Sequence, residues 1–462
     1  MNGKKQNVLR RVASLEPPQI IVLSFAAIIT VGTVLLLLPW SVHEGNLSLI
    51  DALFTSVSAT CVTGLTVINT GSQLTLYGQI VVLSLIQIGG LGIMTFSTFF
   101  LYLFRKRVSL RGKDAIDNTL SHTPVRNIGS LLSKIMITVF SIELAGVICL
   151  TVAWSRYYPI HDALYNGIFH SISAFCNAGF SLFNNSFESF RSDFFINSVV
   201  MILIILGGLG FIVLLDLKNI FSPFKRKTGG FSFHSKVVIT VTLFLIVFGA
   251  LSIFLIERNH IFYGVVPRSS VLISLFQSIT ARTAGFNTVE IGSLTNGTCF
   301  ILMILMFIGA APGSCGGGVK VSTVGILVAM LLSRLRGHED PHLFYRTIPG
   351  AAAGKALVIV LSSVILIGVV FWGLLLTEEG SIHVNDSRGN FLVLLFEAIS
   401  AFGTVGLSMG VTNTLTVMGK ILIIILMFVG RLGPLTMAIA LTSRSGRQAV
   451  RFRYAMGEIM VG

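Results

Sequence analysis

The sequence predicts an all-α polytopic membrane protein made from one helix–re-entrant helix–helix unit, used four times around a pseudo-fourfold axis. Three observations carry this. The 462-residue chain is 53% hydrophobic and only 11% charged, with a mean hydropathy of +0.86; soluble domains carry about 25% charged residues. Its basic and acidic residues fall in alternating connecting segments. One short motif recurs four times in order. About eight transmembrane helices plus four re-entrant helices follow.

Each unit opens with a full apolar span: Ile20–Trp40, Ile135–Trp154, Val237–Ile256 and Ala356–Leu376. Each is close to the ~20 residues that cross a ~30 Å hydrocarbon core. Basic residues precede the first span. It is long for a signal-peptide apolar region and lacks a clear small-residue cleavage site, so it reads as a retained helix.

The motif follows: "ALFTSVSATCVTGL" (Ala52–Leu65), "GIFHSISAFCNAGF" (Gly167–Phe180), "LFQSITARTAGF" (Leu275–Phe286) and "LFEAISAFGTVGL" (Leu395–Leu407). Each has a Phe, then Ser or Thr followed by Ala, then a short polar stretch, then Gly and a bulky apolar residue. The glycines Gly64, Gly179, Gly285 and Gly406 are 115, 106 and 121 residues apart. With roughly 10–14 apolar residues, this segment is too short to span and suits a re-entrant helix.

A second apolar span closes each unit: Gln79–Phe104, Asn197–Leu217, Cys299–Leu332 and Val417–Leu441. Each carries a glycine cluster: "IGGLG", "LGGLG", "IGAAPG" and "VGRLG". From the motif glycine to the first cluster glycine (Gly89, Gly207, Gly309, Gly430) the offsets are 25, 28, 24 and 24. Such glycines let membrane helices approach closely.

Basic residues concentrate in the N-terminal tail, in the loops Arg105–Lys134, Lys218–Lys236 and Arg334–Lys355, and in the tail Arg444–Arg453. The intervening segments hold Glu44, Asp51, Asp162, Glu188, Asp193, Glu257, Glu378, Glu379 and Asp386. The positive-inside rule accounts for this pattern and places both termini in the cytoplasm. The net charge of +14 is then a topology signal and not a nucleic-acid footprint. The segments become a tail at 1–19, repeat 1 at 20–104, loop and repeat 2 at 105–217, and loop and repeat 3 at 218–333. Loop and repeat 4 run over 334–441, and a tail over 442–462.

No metal or nucleophile chemistry stands out. Cys61, Cys149, Cys176, Cys299 and Cys315 form no CxxC pair and read as small apolar fillers. HExxH, P-loop and GxSxG patterns do not occur in a fitting context.

Non-helical backbone at membrane depth is tolerated only where it is buried in protein or lines a watery cavity. Four turns meeting on one axis would surround a column with carbonyl oxygens able to replace a monovalent cation's hydration shell. The expected lining is Val62, Thr63 and Gly64; Asn177, Ala178 and Gly179; Thr283, Ala284 and Gly285; and Thr404, Val405 and Gly406. Glycine at one place in each repeat permits the required backbone angles.

"SATCVTGLTV", "SAFCNAGFSL", "TARTAGFNT" and "SAFGTVGLS" resemble the pore loops of the Trk/Ktr/HKT potassium transporter superfamily, and of membrane subunits of its Ktr branch in particular. The resemblance runs from about Ile20 to about Leu441. It implies M1–pore helix–M2 repeats, potassium uptake across the cell membrane, and a homodimer. It also implies a cytosolic KtrA-like ring of RCK-type nucleotide-binding regulatory subunits. Potassium is then the transported ion, sodium an activator, and no cofactor is covalently bound. Members with Ser at the first-repeat glycine favour sodium and those with Gly favour potassium, so Gly64 points to potassium. A sodium-selective or sodium-coupled transporter of the same fold is the alternative.

The third repeat departs from the others. "IGAAPGSCGGGVK" (Ile308–Lys320) cannot continue a helix. In the family, this stretch is an intramembrane gate loop, carried here by Gly313, Ser314, Gly316, Gly317, Gly318 and Lys320. Pro312 and Cys315 stand as departures that would stiffen it. A passive kink is the other reading. Arg431 lies inside an apolar span, where a charge is expensive and marks function by default. It matches a family arginine beside the gate loop and is expected to act as a positive barrier bonded to loop carbonyls. A structural ion pair is its alternative. Arg282 and Glu397 are expected to form a salt bridge behind the turns. Glu143 has no evident partner, and His161 and His170 read as interfacial residues.

Two other functional classes fit the sequence poorly. A coupled small-solute carrier would favour inverted repeats, and a membrane enzyme would need clustered His, Asp or Glu at one face. Neither pattern is present. Regulatory partners are expected on the loops at 105–134 and 334–355 and on the tail from Arg444 to Gly462.

Overall fold

The computed structural model describes residues 17–107, 128–220, 230–338, 340–378 and 384–442. The first span of each repeat is one unbroken helix: α1 (Pro17–Leu36), α4 (Ile128–Trp154), α8 (Phe233–Glu257) and α12 (Gly350–Glu378). All four are long and apolar enough to cross a membrane. Their outward faces carry exposed Leu23, Val31, Phe140, Leu144, Phe244, Leu251, Leu361 and Val369, as expected of a surface solvated by lipid tails.

The re-entrant helices are α2 (Leu49–Thr60), α5 (Ile160–Phe175), α9 (Pro267–Thr280) and α13 (Val384–Gly403). Ser48 caps α2 by accepting from Asp51 N–H at 3.1 Å, and Pro267 opens α9 at a position where its missing donor costs nothing. The motif phenylalanines Phe54, Phe169, Phe276 and Phe396 are all fully buried. They anchor each short helix in the core.

The second spans are α3 (Leu76–Arg107), the pair α6 (Phe194–Leu209) and α7 (Phe211–Ile220), the pair α10 (Asn296–Phe307) and α11 (Val321–Leu335), and the pair α14 (Val417–Leu432) and α15 (Pro434–Thr442). Asp193, Thr295 and Thr416 cap α6, α10 and α14 through their side chains. Buried Glu257 reinforces the α10 cap, accepting from Thr295 N–H at 3.0 Å and from the Thr295 and Thr298 hydroxyls at 2.7 and 2.6 Å.

Continuous second spans were expected in repeats 2 and 4, and the structure corrects this. α6 and α7 meet at 109°, α14 and α15 at 97°. The breaks fall on Gly210 (φ +82°) and Gly433 (φ +87°), left-handed values that leave the helix. At the second break Pro434 also removes a donor. A two-stranded hairpin, β1 (His342–Leu343) against β2 (Arg346–Thr347), connects repeats 3 and 4.

The packing is cyclic. Each first span lies against its own re-entrant helix, while each second span lies against that of the next repeat: α3 on α5, α6 on α9, α10 on α13, and α14 on α2. Polar ties reinforce the joints. Tyr165 donates to Gln79 Oε1 at 2.7 Å, Asn287 to Glu188 Oε1 at 2.8 Å, and Lys420 pairs with Asp51 at 2.7 Å. The last tie joins repeat 4 to repeat 1 and closes the circle. The basic tails and most of the loop at 105–134 lie outside the described residues.

Candidate functional site: a four-turn ring over a crossing loop

Where each re-entrant helix ends, a non-glycine residue turns left-handed: Val62 (φ 56°), Asn177 (60°), Thr283 (77°) and Thr404 (50°). Two residues later Gly64 (91°), Gly179 (71°), Gly285 (81°) and Gly406 (93°) do the same. A β-branched residue at positive φ is a true outlier, and three of the four are β-branched. Such strain persists only where the surroundings over-determine it.

The Ser/Thr of the motif supplies that determination. Ser58 O accepts from Thr63 N–H at 2.8 Å and Ser58 Oγ from Gly64 N–H at 3.1 Å. Ser400 repeats this with Val405 (2.9 Å) and Gly406 (3.2 Å). Ser173 O and Thr280 O also accept from the turn, from Ala178 N–H at 2.7 Å and Ala284 N–H at 2.9 Å, but their hydroxyls donate forward, to Phe180 O at 2.8 Å and Phe286 O at 2.7 Å. The bulky residues after each glycine (Leu65, Phe180, Phe286 and Leu407) are buried behind the turn.

The four turns meet in a closed cycle. A Cβ built on Gly64 would lie 3.1 Å from Gly179 Cα; one on Gly179, 3.1 Å from Gly285 Cα; one on Gly285, 3.2 Å from Gly406 Cα; one on Gly406, 2.9 Å from Gly64 Cα. In every case the carbonyl of the residue before the next glycine (Ala178, Ala284, Val405 and Thr63) is also in the way. Equal neighbour spacings around four segments, each over a hundred residues apart, are a pseudo-fourfold ring. Glycine is needed there twice over, for its φ and for the absence of a side chain.

The stretch from Ile308 to Lys320 crosses beneath this ring. It leaves α10 through a parallel bridge between Ile308 and Val319. On one side Ala311 N–H donates to Gly208 O (3.0 Å) and Cys315 N–H to Gly207 O (3.2 Å), while Phe211 N–H donates to Gly313 O (3.2 Å). The Gly210 bend exposes the Phe211 donor. On the other side Gly318 N–H donates to Gly430 O at 3.2 Å. Toward the ring, Gly317 N–H donates to Thr404 Oγ1 at 3.0 Å, and a side chain on Gly316 would overlap Thr283 Oγ1. Lys320 folds back and caps the loop carbonyls of Gly316 (2.7 Å) and Gly317 (3.4 Å). Ser314 is buried and donates to Ala311 O at 2.6 Å. Thr283 and Thr404 are therefore residues of both ring and loop contact, which sequence reasoning did not anticipate for their side chains.

Arg431 is buried in α14 and pairs with no carboxylate among the described residues. It donates to Cys315 O in the loop and to Gly89 O in α3 at 2.7 Å. One guanidinium thus fastens the loop to two repeats. The cluster glycines act by close approach: a Cβ on Gly89, Gly207 or Gly430 would overlap the carbonyl of Thr60, Phe175 or Phe402, at the ends of the re-entrant helices.

Three expectations are corrected. Arg282 and Glu397 form no salt bridge. Arg282 reaches back to α8, donating to Thr242 O (3.5 Å) and Oγ1 (3.3 Å), and Glu397 accepts from the Thr412 hydroxyl. Glu143 has a partner, the Gln87 amide, at 3.1 Å from both carboxyl oxygens. His161 is exposed as expected, but His170 is fully buried, stacked on Phe183 with ring centroids 4.7 Å apart.

Residues 4–447 match the family model described as TrkH, cation transport protein. The chain belongs to that family. It is 37% identical to Ktr system potassium uptake protein B of Bacillus subtilis, with all of both chains covered. It is 38% identical to the protein of that name from Vibrio alginolyticus, over 91% of this chain and 90% of that one. It is 34% identical to potassium/sodium uptake protein NtpJ of Enterococcus hirae, all of both covered. The fold matches the crystal structure of the potassium transporter TrkH from Vibrio parahaemolyticus with a TM-score of 0.72 at 21% identity, over 92% of this chain and 84% of that one.

Proposed function

We propose that the chain takes up potassium across the cell membrane through the four-turn ring acting as a selectivity filter. One observation carries the reading: the closed cycle of Gly64, Gly179, Gly285 and Gly406, each in left-handed backbone and each against the next. A ring of fixed backbone carbonyls is the chemistry that replaces the water shell of a monovalent cation. Gly64 at the first position, where sodium-favouring members carry Ser, supports potassium over sodium.

In this reading the Ile308–Lys320 loop is the gate, and the structure's arrangement is its closed form. Gly313, Ser314, Gly316, Gly317, Gly318 and Lys320 lie across the path below the filter, and Arg431 adds a buried positive charge that repels a cation there. The loop is fastened by backbone hydrogen bonds of modest net value, about 0.5–1.5 kcal/mol each, and by the side chains of Thr404, Lys320 and Arg431, a set of local contacts whose balance a regulatory partner can shift. The Ktr system relatives, named as lettered proteins of one uptake system, support a further subunit beside this chain; the family resemblance of the pore loops makes that subunit a cytosolic RCK-type ring and this chain a homodimer. The Enterococcus relative, a potassium/sodium uptake protein, supports sodium as a second ion handled by this fold; sodium as an activator rests on the family resemblance. Both termini are cytoplasmic by the charge pattern.

The test is growth rescue. Cells lacking potassium uptake should grow at low potassium when they express this chain with a Ktr-type regulatory subunit. Failure to rescue at confirmed membrane abundance overturns the reading.

A further inference from the structure

The residue that follows the motif phenylalanine occupies one place in all four repeats: Thr55, His170, Gln277 and Glu397. All four are buried. Burying His, Gln and Glu at symmetry-related places is costly unless each has a task. In three repeats the task is common. Each side chain reaches from the re-entrant helix to the backbone limb that leaves the ring.

His170 Nδ1 faces Asn166 O at 2.8 Å and so carries the proton, leaving Nε2 to accept from Leu182 N–H at 3.3 Å and to meet Ser181 Oγ at 3.0 Å. Gln277 Nε2 donates to Thr288 Oγ1 at 3.5 Å. Glu397 Oε1 accepts from the Thr412 hydroxyl, which also meets Ser408 Oγ at 3.0 Å. Ser181 and Ser408 both stand two places after the motif glycine, and Thr288 three places after. Repeat 1 differs, because Thr55 Oγ1 donates to Asp51 O of its own helix at 2.8 Å.

We infer that His170, Gln277 and Glu397 are positioning residues that fix the outgoing limbs of the filter, and that Glu397 sets how well the ring tells potassium from sodium. The inference rests on the filter reading. A ring of carbonyls discriminates by size and field only as far as its backbone holds its shape. The turn at Thr404–Gly406 is held from below by Gly317 N–H and from behind by Ser400; the Glu397–Thr412–Ser408 chain holds it from the outer end. Fold stability alone does not account for Glu here. Its Oε2 has no hydrogen-bond partner among the described residues, and a buried carboxyl so poorly satisfied lowers stability.

The test measures the ratio of potassium to sodium influx, at equal membrane abundance, in uptake-deficient cells carrying the regulatory subunit. Glu397→Leu should lower the ratio about fivefold, the equivalent of one net hydrogen bond. Thr412→Val should do the same from the other partner, and the double variant should be no worse than either alone. Glu397→Gln, which installs the residue of repeat 3, should keep the ratio, and so should Thr55→Val in the untethered repeat. An unchanged ratio in both Glu397→Leu and Thr412→Val overturns the inference. Gly64→Ser separates the two levels. If it shifts the ratio while those two variants do not, only the tether fails; if Gly64→Ser leaves the ratio unmoved, the filter reading fails as well.

Discussion

On the proposed gate reading, replacing Arg431 with Ala should open the path below the ring. The guanidinium donates to Cys315 O in the loop and Gly89 O in α3, and so joins the crossing loop to two repeats. Hydrogen bonds from a charged donor contribute about 1.5–3 kcal/mol each, so two give about 3–6 kcal/mol in favour of the closed arrangement. Part of this is offset by the cost of burying the ion, whose Nε has no partner among the described residues. A net loss of about 2–3 kcal/mol moves the closed-to-open equilibrium by about 30- to 150-fold. Removing the positive charge from the path acts in the same direction. The assay is initial potassium influx into proteoliposomes holding equal amounts of native or R431A protein without the regulatory subunit. A large rise is expected, with R431K in between. Unchanged or lower influx at equal protein would mean that Arg431 does not hold the loop shut.

Thr404→Val removes the acceptor of Gly317 N–H, a buried donor whose stranding costs about 1–3 kcal/mol; influx without the regulatory subunit should rise, measured as above. Gly207→Ala places a methyl group against Phe175 O, overpacking that costs about 1–3 kcal/mol or more where backbone must yield. Its thermal midpoint in detergent, followed by size-exclusion fluorescence, should fall clearly below that of the native chain. Glu188, in the segment between α5 and α6, is raised above the ordinary carboxylate range by partial burial and by the charge of Glu290. The folded state therefore binds its proton more tightly than the unfolded chain, and stability falls as pH rises from the ordinary range (about 4.3) through the raised value. Glu188→Gln keeps an acceptor for Asn287 and should flatten that decline; a steeper decline would contradict the assignment.

The repeated unit was legible because packing imposed it on the sequence. The motif Phe fills the core, the Ser/Thr holds the turn, and the glycine sits where no side chain fits, so all three recur at one spacing. The first cluster glycines were legible for the same reason, being pressed against re-entrant-helix carbonyls. Backbone strain was not legible: nothing in Val62, Thr283 or Thr404 announces positive φ, which is imposed by the turn around them. The bend at Gly210 was hidden because glycine in an apolar run reads equally well as a packing site. The bend at Gly433 did leave a trace, since Gly-Pro is a breaker signal that the surrounding hydrophobicity masks. Partners across repeats were beyond reach. Arg282 and Glu397 have opposite charges and neighbouring repeats, yet one turns to α8 and the other to the outgoing limb. Glu143 finds Gln87 56 residues away because α4 packs on α3, a contact that no local pattern encodes.

The most direct measurement of the central claim is the potassium-to-sodium influx ratio of cells expressing native chain or Gly64→Ser, each with the regulatory subunit. The ring account expects a clear preference for potassium in the native chain and a marked loss of it in the variant, at equal abundance. A native chain without preference, or a variant with the native ratio, would contradict the claim that the four-glycine ring selects the ion.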